Sequence, residues 1–224
     1  MTPNRIFVGF DQREAAAYHA FCQSVIDTAR VPVAIVPLAK RALAGVFDRD
    51  GASNDFTYSR FLVPYLCDFK GWALFCDGDM IVNEDIGALF NLADPTKAVM
   101  VVKHDYKTKH PVKYLGAKNE DYPCKNWSSV VLWNCEHPAN RGLVPDIIKK
   151  MSPAYLHRFW WLKENSIGEL PKEWNWLVGE YAYNATASLH HYTIGTPCFE
   201  EYADCDNANR WHAAHKRMNH ADQR

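Results

Sequence analysis

Two aspartates separated by a single glycine, Asp77-Gly78-Asp79, follow directly on the apolar run Leu74-Phe75-Cys76. Carboxylates buried without a partner are costly, so a pair in this position belongs at the mouth of a strand, facing a cation or water. Gly78 removes a side chain between them and lets the backbone turn tightly, which brings both acids toward one point. Hard oxygen ligands of this kind suit Mg²⁺ or Mn²⁺, with waters and phosphate oxygens completing the shell. Such an ion can hold a diphosphate and neutralise its charge as it departs from a sugar. The triplet alone is weak, because the same spacing occurs in ordinary turns. Its place after a buried strand makes it a site candidate.

The elements that must position these acids can be read from periodicity. Residues 72–76 are nearly all apolar, as expected of a strand covered on both faces. Upstream, residues 5–10 form a short β-type run that ends at Asp11. Residues 14–28 then repeat apolar positions at helical spacing (Ala17, Phe21, Val25, Ile26), and residues 31–38 read as a second strand with Pro32 and Pro37 near its ends. Strand, helix and strand at these lengths predict a parallel βαβ unit. After a Gly/Asp/Asn-rich loop at 48–55, residues 57–69 look helical, with Phe61, Leu62, Tyr65 and Leu66 on one side and Gly71 as the breaker. Further strands are expected at 98–103 and 128–134, and a helix at 145–150. The polar, lysine-bearing residues 104–123 read as a loop or flap.

The expected fold class is therefore α/β: one Rossmann-like domain with a mostly parallel central sheet flanked by helices. It should occupy residues 1–203, with 204–224 as a polar C-terminal tail or helix.

A length of 224 residues suits one domain, and a formal charge of −1 gives no general attraction to nucleic acid or anionic lipid. The apolar run at 6–10 is too short for a signal-peptide core, and no stretch approaches transmembrane length. Seven cysteines form an odd set without a Cys-x-x-Cys pair, so reduced thiols and a cytoplasmic location are expected. Eight tryptophans exceed ordinary usage; Trp133 and Trp176 read as core, and others could stack on sugars or bases. Arg210, His212, His215, Lys216, Arg217 and Arg224 give the tail some basic character. Asp204, Asp206 and Asp222 dilute it, so peripheral membrane association is not expected.

Six segments in order resemble the GT-A glycosyltransferases, specifically the family 8-like group with its Asp-x-Asp motif. They are Ile6-Phe7-Val8-Gly9-Phe10-Asp11, Tyr58-Ser59-Arg60-Phe61, Phe75-Cys76-Asp77-Gly78-Asp79, Asn126-Trp127-Ser128-Ser129-Val130, Leu170-Pro171-Lys172-Glu173-Trp174-Asn175 and His191-Tyr192-Thr193-Ile194-Gly195-Thr196-Pro197. The resemblance implies a GT-A fold and a retaining hexosyl transfer from a UDP-linked sugar to an acceptor hydroxyl, dependent on Mn²⁺ or Mg²⁺. It places Gly9, Phe10 and Asp11 near base and ribose, with Tyr58, Gly78, Gly195 and Pro197 also around the donor. It turns Arg60 toward the donor, where a planar guanidinium suits phosphate or an acidic partner. His191 becomes the third metal ligand beside Asp77 and Asp79, although His190 adjoins it. Asn126 and Trp127 would line the sugar cleft, and Trp174, Asn175 and Trp176 could face it. Asp77, Asp79, Arg60 and Asn126 are then the candidate catalytic residues.

Two departures accompany the likeness. Thr196 stands where the family has a diphosphate-binding lysine, leaving Arg60, Lys125 or another base to meet the phosphates. The family's Asp-Gln-Asp segment also has no clean match within residues 162–169. Sugar-nucleotidyl transfer, a haloacid-dehalogenase-like phosphatase and a non-catalytic sugar- or nucleotide-binding module of the same fold remain open at this point.

Overall fold

The computed structural model describes residues 2–51 and 54–219, so Arg224 and Asp222 of the tail lie outside the described residues. The chain begins with β1 (Asn4–Phe10), α1 (Ala15–Thr28), β2 (Val33–Ala39) and α2 (Lys40–Leu43). It continues through α3 (Val63–Leu66), β3 (Trp72–Cys76), β4 (Met80–Val82), α4 (Ile86–Phe90), β5 (Val99–Val101) and β6 (Val130–Asn134). The rest comprises α5 (Pro145–Lys150), α6 (Pro153–His157), β7 (Ile167–Glu169), β8 (Trp176–Leu177), β9 (Leu189–His191) and α7 (Ala208–Asn219).

Six strands form the main sheet in the order β2-β1-β3-β6-β5-β7. β2, β1 and β3 are parallel, as are β5 and β7; β6 runs against both of its neighbours, β3 and β5. One reversed strand in six leaves the sheet mostly parallel, with the expected βαβ unit at its start. Pro37 is accommodated because β2 is an edge strand, where a missing N–H interrupts no ladder. Along β1 the pleat sends Ile6 and Val8 to the α1 side with Phe21 and Val25. Phe7 goes to the opposite face with Phe61, Phe75 and Trp133. Both faces are covered, which explains the continuous apolar runs in β3 and β6.

The segment at 57–69 is less helical than its pattern suggests. It folds as a 3₁₀ turn at Ser59–Leu62 followed by the single turn of α3. Phe61 and Leu62 are fully buried, but Tyr65 faces out. Asp68 and Phe69 adopt left-handed backbone (φ 53° and 52°), ending the helix before Gly71 is reached.

A second, smaller sheet, β4-β9-β8, had no counterpart in the sequence reading. Its strands have two or three residues each, too short for a period to show. Within the 204–224 stretch, α7 buries Trp211 and Ala214 with Ala20, Ile81 and Tyr192, while Arg217 bonds Asp27 at 2.6 Å. Among the described residues no helix is long and apolar enough to cross a membrane.

Candidate metal and ligand site

The acidic triplet sits where the two sheets meet. β3 ends at Cys76, and the Asp77 N–H continues the ladder by donating to the Ser129 carbonyl at 2.9 Å. A Cβ at position 78 would lie 2.5 Å from the carbonyl oxygen of Gly9, so only glycine lets the triplet pass the end of β1. The chain then enters β4, which pairs with β9 in the register Met80↔His191. The Tyr192 N–H donates to the Asp79 carbonyl at 2.9 Å. This pairing fixes His191 beside Asp79, although 112 positions separate them in sequence.

One ligand atom from each of Asp77, Asp79 and His191 lies within 4.8 Å of the other two. His191 Nε2 stands 3.4 Å from Asp79 Oδ2. Its Nδ1 is 2.9 Å from Asn175 Oδ1. The Asn175 amide is oriented in turn, because its Nδ2 donates to Ser129 Oγ at 2.8 Å and to the Asn126 carbonyl at 3.3 Å. Asn175 therefore presents only an acceptor, so Nδ1 carries a proton and Nε2 is the ring atom turned toward the carboxylates, where it could offer its lone pair to a metal ion. His190 has no such freedom. Its Nε2 bonds the Asn184 carbonyl at 2.7 Å and its Nδ1 meets Asn83 Nδ2 at 3.0 Å.

The carboxylates are built for a cation. Asp77 Oδ1 and Asp79 Oδ1 are buried without a hydrogen-bond donor, which is costly unless something positive completes them. Arg60 Nη1 approaches Asp77 Oδ1 at 2.9 Å, but off the direction of a hydrogen bond. Burial pushes the Asp77 carboxyl up to about 6, against the pull of Arg60 and with a further push from Asp79. Burial also acts on Asp79, but the charge and hydrogen bond of His191, together with Lys113, outweigh it and hold that carboxyl below its ordinary value. Two buried acids held this close cannot both ionise cheaply without a cation. Two orphaned carboxylate oxygens and a lone pair of fixed direction fit a hard divalent ion.

Arg60 is only 5 % exposed, lies near the rings of Phe56 and Phe75, and donates to the Ser128 carbonyl at 2.9 Å. It stands behind Asp77, and a ligand in the cavity would meet Asp77 first.

Asp77, Asp79 and His191 form the floor of a cavity of about 280 Å³, which Asn126 and Thr193 also line. Its roof is the chain from 113 to 125, part of a strap at 104–125 that contains the expected flap at 104–123. Lys113, Tyr114, Lys118 and Lys125 of the strap line the same cavity. Asn126 has left-handed backbone (φ 63°), which turns its amide toward Tyr106 Oη at 2.9 Å and Thr193 Oγ1 at 3.3 Å.

The other expected donor residues do not line this cavity. Gly9 is packed against the Phe56 ring, where a Cβ would come within 2.3 Å, and Gly195 is similarly filled by the Tyr202 ring. Phe10 stacks edge-on against Tyr18, and Pro197 is buried. Asp11 accepts from the Arg13 backbone and guanidinium and from the Asp55 N–H. Burial would raise its carboxyl, but the Arg13 bonds win and lower it. Tyr58 lines a neighbouring cavity of about 350 Å³, and Tyr122 is shared between the two. Trp127 donates its indole N–H to the His104 carbonyl, Trp174 and Trp133 are core, and Trp176 is half-buried.

Lys113 and Glu14 escaped the sequence reading, as did the role of Asn175, which was expected only as a residue that could face the cleft. Lys113 Nζ reaches Thr193 Oγ1 at 3.2 Å. Glu14, 7 % exposed, accepts from Tyr114 Oη at 2.8 Å, and burial, then the charge of Asp79, raises it to about 8. Asn175 sets the His191 ring. The lysine content of residues 104–123 was the one hint of Lys113.

No family model matches the chain. Protein CDI of Arabidopsis thaliana is 42 % identical over 219 residues, covering 93 % of this chain and 85 % of that protein. Among solved structures, the bifunctional glycosyltransferase WbbM superposes with a TM-score of 0.66 at 16 % identity, over 96 % of this chain and 50 % of WbbM. The chain thus spans about half of that protein's length. The galactosyltransferase LgtC, solved with donor and acceptor sugar analogues, gives a TM-score of 0.58 at 11 % identity over 98 % of each chain. At these identities the likeness establishes the fold: a single α/β domain of the kind found in GT-A glycosyltransferases.

Proposed function

Starting from a chain that belongs to the same family as Protein CDI of Arabidopsis thaliana and folds as glycosyltransferases do, we propose that it transfers a sugar from a nucleoside-diphosphate donor to an acceptor hydroxyl. The observation that carries this reading is the convergence of Asp77, Asp79 and His191 at the floor of a lysine-roofed cavity. A nucleotide-diphosphate sugar is the substrate class that needs both a divalent ion and nearby cations.

Asp77, Asp79 and His191 would hold Mn²⁺ or Mg²⁺, which when bound supplies charge neutralisation to the leaving diphosphate. The chain's own residues do the rest. Arg60 holds Asp77 in place, Asn175 holds His191 in its metal-binding tautomer, and the Asn126 amide is placed to meet a sugar hydroxyl. The Asp77 and Asp79 side chains are only 14 % exposed, so each electrostatic contact on the floor is weakly screened. A UDP-linked donor and retention of configuration rest on the family 8-like resemblance, and hexosyl transfer rests on the same ground. The 1–203 and 204–224 division rests on the polar composition of the last residues, with α7 as a packed extension.

Titration calorimetry with UDP, GDP and ADP, each with Mn²⁺ and with EDTA, tests the proposal. One nucleotide should bind only with metal, and Asp79→Ala should abolish that binding. If no nucleotide shows metal-dependent binding, the transferase reading is wrong.

A further inference from the structure

Thr196 cannot serve phosphate. It is fully buried, with its hydroxyl 2.8 Å from Cys198 Sγ. Arg60 is turned into the protein behind Asp77, and Lys125 Nζ is engaged by Asn119 Oδ1 at 2.7 Å with Asp121 at 3.8 Å. Lys113 is different. Its ammonium has one hydrogen-bond partner, Thr193 Oγ1, and no carboxylate within 4.0 Å among the described residues. Thr193 lies two residues beyond His191, so Lys113 Nζ opens onto the same cavity as the metal-ligand set.

The backbone places it there deliberately. Residues 112–118 close on themselves through the Val112↔Lys118 bridge and the Lys113 N–H to Ala117 carbonyl bond at 2.8 Å. Left-handed Leu115 (φ 56°) and Gly116 (φ 69°) turn the chain. The Tyr114 N–H donates to the Ile194 carbonyl at 2.8 Å, docking this turn beside β9. Tyr114 Oη on Glu14 anchors the other side. In the docked turn Lys113 faces the floor, with its Nζ on Thr193 Oγ1. A flexible cation with spare N–H donors, held beside a carboxylate pair that takes a divalent ion, is chemistry for a phosphate oxygen.

We infer that Lys113 is the diphosphate-binding cation of this site, delivered by the strap instead of by position 196. The inference rests on the nucleotide-sugar reading and names the residue that recognises its phosphates. It also makes donor binding and strap closure one event, because a diphosphate on the floor would bond the strap.

The test is titration calorimetry on the full chain with UDP plus Mn²⁺ and with inorganic pyrophosphate plus Mn²⁺, for wild type, Lys113→Met, Lys113→Arg and Lys107→Met. Loss of a charge-assisted contact should weaken both ligands about tenfold or more in Lys113→Met. Lys113→Arg should restore most of the affinity, and Lys107→Met, at an exposed lysine of the strap outside the cavity lining, should change little. Mn²⁺ alone, followed by electron paramagnetic resonance, should bind all four proteins equally, which separates lost phosphate contact from a damaged floor. Wild-type affinity for both ligands in Lys113→Met would overturn the inference while leaving the transferase reading standing. Failure of wild type to bind UDP would remove that reading, and the pyrophosphate titrations would still decide the role of Lys113.

Discussion

The floor and the roof of the cavity are built from different forces. The floor is backbone: β3, β4 and β9 hold Asp77, Asp79 and His191 through ladder hydrogen bonds whose register leaves no choice. The strap, residues 104–125, is held chiefly by side chains. Glu180, 3 % exposed, is its hub, accepting from Thr108 Oγ1, from the Lys109 N–H at 2.8 Å and from Asn119 Nδ2 at 3.3 Å. A register cannot loosen by degrees, whereas a polar network can. The part proposed to hold a metal is therefore rigid, and the part over the cavity can open.

If this division is right, damage to each region has its own signature. The largest effect after loss of a metal ligand belongs to Asn175→Leu. Freed of its acceptor, the His191 ring loses its tautomer and direction, and Mn²⁺ affinity should fall about 10- to 100-fold by electron paramagnetic resonance titration. Unchanged affinity would mean that the ladder alone orients the ring.

Glu180→Gln comes next. An amide cannot accept at both oxygens, so at least one strap donor is left unpaired, at about 1–3 kcal/mol. Residues 104–125 should exchange amide hydrogens faster and become cleavable by protease, and the donor KM should rise severalfold. Mn²⁺ affinity should not move; a parallel fall in metal affinity would show that the two regions are one unit.

The smallest effect is on pH dependence, and it probes the seam between them. Glu14 has an ordinary value of 4.5 and is raised to about 8 in the fold. The folded state therefore binds the proton more tightly, and the associated stability is complete below 4.5 and lost as pH rises through about 8. In EDTA, the melting temperature should drop across that window. Glu14→Gln keeps an acceptor for Tyr114 and cannot ionise, so it should retain about 2–4 °C at pH 8 that wild type loses. Asp77, raised to about 6, pushes the same way in both proteins, so the comparison above pH 6 isolates Glu14. Equal melting curves there would mean that Glu14 does not couple strap to floor.

The contrast also separates what could be read without coordinates. The Asp77-Gly78-Asp79 triplet was legible because composition and position both mark it: apolar strand, then two acids around a glycine. The βαβ start was legible because α1 and the flanking strands are long enough to show their periods. The reversal of β6 was not, since an apolar strand looks the same in either direction. Nor was the true length of the 57–69 helix, which ends where Asp68 and Phe69 turn left-handed.

By itself, then, the sequence determined the chemistry available: two carboxylates, an imidazole and a lysine-bearing flap, mounted on an α/β scaffold. Those are local properties, written in residue type and short-range period. The tertiary structure alone decided which of them meet. The β4–β9 register chose His191 over His190, Asn175 chose its tautomer, and the strap's docking on Ile194 chose Lys113. Each choice depends on contacts between segments distant in sequence. They become fixed only when the folded core and the backbone hydrogen bonds it shelters admit a single arrangement.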